Sequence, residues 1–156
     1  MALSRINANS ITDDSVTADQ VSDNIFRAHK NMIINGAMEV HQRGGNVTAS
    51  DTYVVDRFPM SFSGGAVTGS HGTLSSSDSP YSEGFRKYLR LTNTTAASGA
   101  GDFRQTYQTL EGQNVATSGW DFTSSSSYVT LSFWVRVSVA GKYAFTAISN
   151  DGTSQE

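Results

Sequence analysis

The sequence predicts a mainly β protein: an antiparallel β-sandwich of jelly-roll type, incomplete at its C-terminus and preceded by an extended or fibrous N-terminal segment. Three observations predict it. From Tyr128 to Asn150 the odd positions Val129, Leu131, Phe133, Val135, Val137 and Val139 are apolar, with Thr130, Ser132, Trp134, Arg136 and Ser138 between them. That is the period of a half-buried strand, and Ala140-Gly141-Lys142 turns it back into a second strand, Tyr143–Ile148. Upstream, several short runs of β-branched and aromatic residues are separated by Gly, Ser and Asn clusters. Beyond residue 30 no helical period of useful length occurs. A strand this apolar on one face must lay that face on a second layer.

Composition narrows the function classes. The 156 residues suit one domain with an appendage, charged residues are 16%, and Ser and Thr make up about a quarter of the chain. Aromatics at 10% exceed what a disordered polar tract carries. The net charge of −3 argues against nucleic acid and against a membrane surface, both of which attract basic patches. The one basic run, Arg86-Lys87-Tyr88-Leu89-Arg90, reads as the polar side of a strand. With no cysteine there are no disulfides, no thiol chemistry and no Cys-type zinc site. No apolar run approaches the roughly 20 residues of a membrane span, so no membrane insertion is expected. Nor does an apolar signal core follow Met1–Arg5. The expectation is a chain made soluble in the cytoplasm of its producer.

Residues 1–30 form one unit and residues 31–156 another. In the first, Ile6, Ile11, Val16, Val21 and Phe26 recur every fifth residue among Asn, Ser, Thr, Asp and Ala. Five matches neither the helix nor the strand, and one apolar residue in five cannot bury a face within one chain. Such a segment needs copies of itself or a partner surface, so these five residues are the candidates for oligomerisation and attachment. The competing reading is a disordered arm with a helix near Thr17–Ala28, capped by Thr17.

The second unit opens with Asn31–Gly36. Ala37–Arg43 is expected to be a strand ended by Gly44-Gly45-Asn46. Asp51–Phe62 is strand-like, with Pro59 marking an edge or a bend. Gly64–Tyr81 is rich in Gly and Ser and reads as a long loop or weak hairpin. Lys87–Thr92 is a short strand, Thr94–Gly101 a loop, and Asp102–Leu110 a strand alternating through Phe103 and Tyr107. Gly112–Trp120 reads as a turn or a single helical turn. The chain then stops in turn chemistry, Asp151–Glu156, just after a strong strand. Because domains close their edges, residues 31–156 are expected to be the first part of a longer polypeptide or to be completed by another chain.

Five segments carry a resemblance. Asn31–Gly44, NMIINGAMEVHQRG, resembles the NLIINGAMQVxQRG opening of many bacteriophage tail-fibre proteins. Tyr53–Phe58, YVVDRF, is similar to their T-x-D-R-[WF] segment, and Gln105–Gly119 to their Q-x-[IL]-E-G-x-x-V-A-x-x-G block. Val129–Arg136, VTLSFWVR, matches a strand of the same family, and Ser10–Asp19 resembles fibre repeats of the SITDxSVTADKI kind. The chain departs from the pattern at Gln20, where Lys is common, and at Phe58, where Trp is frequent. The resemblance implies a carbohydrate-binding-like (galactose-binding-like) sandwich in a virion tail appendage. It also implies a homotrimer, with other tail proteins and a bacterial surface glycan as partners.

A search for chemistry yields no catalytic residue, no metal site and no cofactor motif. His29, His41 and His71 are far apart in sequence, and HExxH, Gly-x-Ser-x-Gly and phosphate-loop patterns are missing. Glu39 with Asp56 is the one imaginable glycosidase pair, against the simpler reading of Asp56-Arg57 as an ion pair or loop anchor. Asp51 with Asp56, or Asp102 with Asp121, lacks the dense acidic loop that calcium prefers. Sugar binding asks for an exposed aromatic beside polar groups. Trp134 with Arg136 on the polar side of the long strand, and Trp120 on a loop, are the candidate glycan contacts. For Trp134 the competing roles are a lid over a second small core or a contact between protomers. The expected function is a non-enzymatic tail fibre. The rivals are a purely architectural tail adaptor and the N-terminal part of a glycan depolymerase.

Overall fold

The structure of the protein, a computed structural model, describes residues 31–150, 154 and 155. The candidate attachment residues Ile6, Ile11, Val16, Val21 and Phe26 lie outside the described residues. The described part is β-rich, with short helices, and its two main sheets are antiparallel and open.

The first sheet grows from the apolar run 52–62. Strand β1 (Thr52–Val55) and strand β2 (Phe58–Phe62) form a hairpin whose turn is Asp56-Arg57, with Arg57 at φ 73°. Thr52 pairs with Met60 and Tyr53 with Pro59, and the register slips by a bulge between Tyr53 and Val55. Strand β5 (Arg104–Thr106) pairs with the other side of β2, giving the order β1-β2-β5. Pro59 therefore sits in the central strand, not at an edge. The bulge beside it relaxes the ladder where proline has no N–H to give.

The second sheet is one long hairpin. Strand β3 (Ala66–Thr73) pairs antiparallel with strand β4 (Lys87–Thr95) from Ala66↔Thr95 to Thr73↔Lys87. Their connection holds the short helix α1 (Ser79–Ser82), with Pro80 in its first turn. Asp78 folds the loop before it by accepting the Ser75 backbone N–H at 2.8 Å. Helix α2 (Gly112–Thr117) follows the first sheet, and β6 (Ser149–Asn150) pairs with β7 (Ser154–Gln155) at the end of the chain.

The sheets meet over Val54, Met60 and Val67, each at most 2% exposed, with Val47, Phe62, Leu89 and Leu91 around them. Gly69 makes that contact possible. A Cβ there would stand 2.5 Å from Val54 Cγ2 and 2.9 Å from Met60 Sδ, so only glycine lets β3 approach. On its other side Gly69 exchanges backbone hydrogen bonds with Val47 at 2.8 and 2.9 Å.

Several expectations need correction. The long strand Tyr128–Val139 and its return Tyr143–Ile148 form no ladder with the described residues and are exposed on both faces. Alternation prepares a segment for burial, but burial needs a second surface, and none of the described residues supplies one. Gly64–Tyr81 is not a loop, since it contains β3. Its Gly, Ser and Thr content hid a strand whose packing partner sits on a glycine. Ala37–Arg43 is not a strand but a pinned turn followed by irregular chain, with Asn35 and Met38 at φ 59°. Asp102–Leu110 keeps only three strand residues, and Phe103 and Tyr107 are exposed. Lys87–Thr92 is a strand as expected and runs on to Thr95, and Gly112–Thr117 is a short helix.

Candidate functional site

Residues 31–44, 53–58 and 105–119 meet in space, joined by hydrogen bonds. Asn35 in the first segment accepts the Val40 N–H at 2.9 Å and donates to the carbonyls of Val40 and Asp56 at 2.9 and 2.8 Å. The Asp56 carboxylate accepts the Gln42 N–H at 2.7 Å, and the Asp56 N–H donates to Val40 O. Ile34 and Gln108 exchange a reciprocal pair, Ile34 N–H to Oε1 at 2.8 Å and Nε2 to Ile34 O at 2.7 Å. Arg57 closes the set on Glu111 at 2.7 Å.

This cluster explains why those residue types stand where they do. Asn35 adopts the left-handed conformation that asparagine tolerates, and Gly36 follows because a Cβ there would press on Ile33. The Arg57 guanidinium, followed by the Gln113 amide, holds the Glu111 carboxyl below the usual range, and Glu111 raises Arg57 in turn. Both side chains are close to half exposed, so the pair contributes orientation more than stability. Asp56 is thus the loop anchor of the sequence reading, whereas Arg57 pairs with Glu111 and not with Asp56. Glu39 is exposed, and the Asp56 carboxylate is committed to the Gln42 N–H.

Beside this cluster lies a cavity of about 240 Å³ lined by Arg43, Tyr53, Asp56 and Arg57, with the Arg43 guanidinium 4.6 Å above the Tyr53 ring. A broader bowl of about 490 Å³ opens where β4 ends and β5 begins. Asn93, Thr94, Asp102, Phe103 and Arg104 line it. Arg104 is the bowl's frame: it donates to Asn93 Oδ1 at 2.9 Å and to the carbonyls of Ser63, Gly64 and Phe103. Asp102 accepts the Gly99 N–H at 2.7 Å and so shapes the loop 99–102. The Phe103 ring remains 45% exposed beside these polar groups. An exposed ring next to a carboxylate and an amide is the chemistry that holds a sugar, whose C–H face stacks while its hydroxyls find donors and acceptors.

The sequence pointed to other aromatics. Trp134 is 56% exposed, and Arg136, on the same side of the chain, reaches Asp78 at 2.8 Å. Two hydrogen bonds from Ser75 lower the Asp78 carboxyl, with Arg136 adding to them. Trp120 is half-buried and meets Phe122 edge-on at 6.4 Å. Asp121 beside it caps Thr123 and is lowered by that hydroxyl.

Phe103 was missed because alternation assigned it to a buried strand face. Its place after the small-residue loop 94–101, next to Asp102, was the available signal. The histidines also differ from their sequence spacing: His41 and His71 bring their rings to 4.5 Å, with His71 Nε2 2.9 Å from Met38 O. Among the described residues no group of three His, Cys, Asp or Glu is placed to hold a metal ion, and no helix is long and apolar enough to cross a membrane. No family of known proteins, no characterised protein and no solved structure matches the chain.

Proposed function

We propose that this chain is part of a bacteriophage tail fibre, a non-enzymatic virion protein that helps recognise the bacterial surface. Residues 1–30 attach it to the tail and to sister chains in a homotrimer, through Ile6, Ile11, Val16, Val21 and Phe26. Residues 31–156 contribute an antiparallel β-sandwich of jelly-roll type whose layers start at the Val54–Met60–Val67 contact. The protein works in the virion, without a cofactor, after synthesis in the host cytoplasm.

The observation that carries this reading is the joining of three tail-fibre-like segments through Asn35, Asp56, Gln108 and Glu111. The bowl at Phe103 is the glycan contact best supported by geometry, ahead of Trp134, Arg136 and Trp120. A shallow site of this kind binds weakly, and three copies on one fibre raise avidity over single-site affinity by on the order of 10²–10⁴.

Binding of the purified trimer to host cells and to their isolated surface polysaccharide tests the proposal. Phe103→Ala is expected to lower glycan binding at least tenfold while leaving the fold intact by circular dichroism. Absence of glycan binding, together with tight capture of a tail protein through residues 1–30, points to the architectural adaptor instead. Turnover of the polysaccharide by a longer chain containing these residues points to the depolymerase.

A further inference from the structure

Two features of the molecule each lack what the other has. The stretch 129–139 has strand periodicity and no ladder, and its apolar side is open: Val129, Leu131, Phe133, Val135, Val137 and Val139 are 43–69% exposed. Strand β4, nine residues long, bonds to β3 on one side, and its other edge has no strand beside it among the described residues. A two-stranded sheet is marginal in water, and a long open edge invites a further strand. β4 turns Leu89 and Leu91 toward the core. A strand laid along its edge with Leu131, Phe133 and Val135 on that same side would lengthen one apolar face.

We propose that residues 129–139 of one copy of this chain add to the open edge of β4 in a second copy. Two observations favour a sister chain over the chain's own sheet. The stretch is exposed along its length in the single molecule although its own β4 edge stands open. Arg136 meets Asp78, in the loop beyond the last β3–β4 pair, which places that part of the stretch at the end of its own hairpin and not along its side. On the polar side Trp134 would then lie beside Tyr88 and Arg90 of the neighbour, where the guanidinium already sits 5.5 Å from the Tyr88 ring. The contact is head-to-tail, which closes into a ring where its rotation permits and otherwise propagates, and the inference stands apart from the tail-fibre reading.

The lack of native cysteine makes the test direct. One batch carries Ser132→Cys in the donated stretch and another carries Thr92→Cys on β4. The two are mixed, separated by a size tag, and treated with a short flexible bis-thiol reagent that tolerates a register error of one residue pair. The expected product is a mixed dimer, reduced at least tenfold by adding Phe133→Asp to the first batch. Hydrogen exchange supplies the second readout, with amides of 129–139 expected to gain at least tenfold protection as concentration rises. A double variant with both cysteines that links within one chain at high dilution overturns the proposal in favour of closure on its own sheet. Assembly without either the mixed product or the protection overturns it as well.

Discussion

Residues 31–118 and residues 120–148 obey opposite rules. The first region is poor in long apolar runs, yet it is held tightly: four residues form the buried apolar set, and side-chain bonds from Asn35, Asp56, Gln108 and Arg104 fix its loops. The second is the most apolar part of the chain, and Phe133, Val135, Val139, Tyr143 and Phe145 are 64–69% exposed. Apolar content alone does not build a core. A core needs two surfaces brought together, and in this molecule glycine and polar side chains do the bringing.

Five perturbations can break or sharpen that contrast. The largest effect is expected at Met60, which is fully enclosed between the sheets. Met60→Ala should destabilise the first region by about 2–5 kcal/mol in urea unfolding. Next comes Gly69→Val, which forces a side chain into Val54 and Met60. A loss of about 1–3 kcal/mol is expected, and no loss would mean that the sheets are not in contact there.

Asn35→Ala removes three hydrogen bonds at a left-handed turn and should cost about 1–2 kcal/mol. Its signature is faster hydrogen exchange at Val40 and Asp56, which a merely surface residue would leave alone. Acid is expected to act more gently. Glu111, Asp78 and Asp121 are all held below their usual range, so each favours the folded state above the ordinary carboxylate pKa of about 4. That contribution is lost as pH falls through the lowered folded values. Stability should therefore be level from pH 7 to about 5 and decline below about 4. Arg57→Gln should shrink the part of the decline that belongs to Glu111.

The smallest effect is expected from the second region. Trp134→Ala in dilute protein should shift the unfolding of residues 31–118 by less than about 0.5 kcal/mol. A larger shift would show that the exposed strand supports the body it stands beside.

Much of this contrast was legible beforehand, though not evenly. Val54 and Val55 were readable as part of the strand-like run 51–62, but the turn at Asp56-Arg57 that folds that run into a hairpin over Met60 was not. Asp56 was readable as an anchor, because a carboxylate between two apolar strands must find donors. β3 was not readable, since its one indispensable contact is made by the absence of a side chain at Gly69. Nor was the bowl, because Asn93 and the 63–64 turn are brought to Phe103 only by the bonds that Arg104 donates to four acceptors.

By itself the sequence determined the class of this protein: local alternation and turn chemistry are properties of neighbouring residues, and they require strands and hairpins wherever the chain folds. Only the tertiary structure decided which alternating runs are covered, because coverage is a relation between distant segments. It buried Met60 and left Phe133 in water, two residues that periodicity alone does not tell apart.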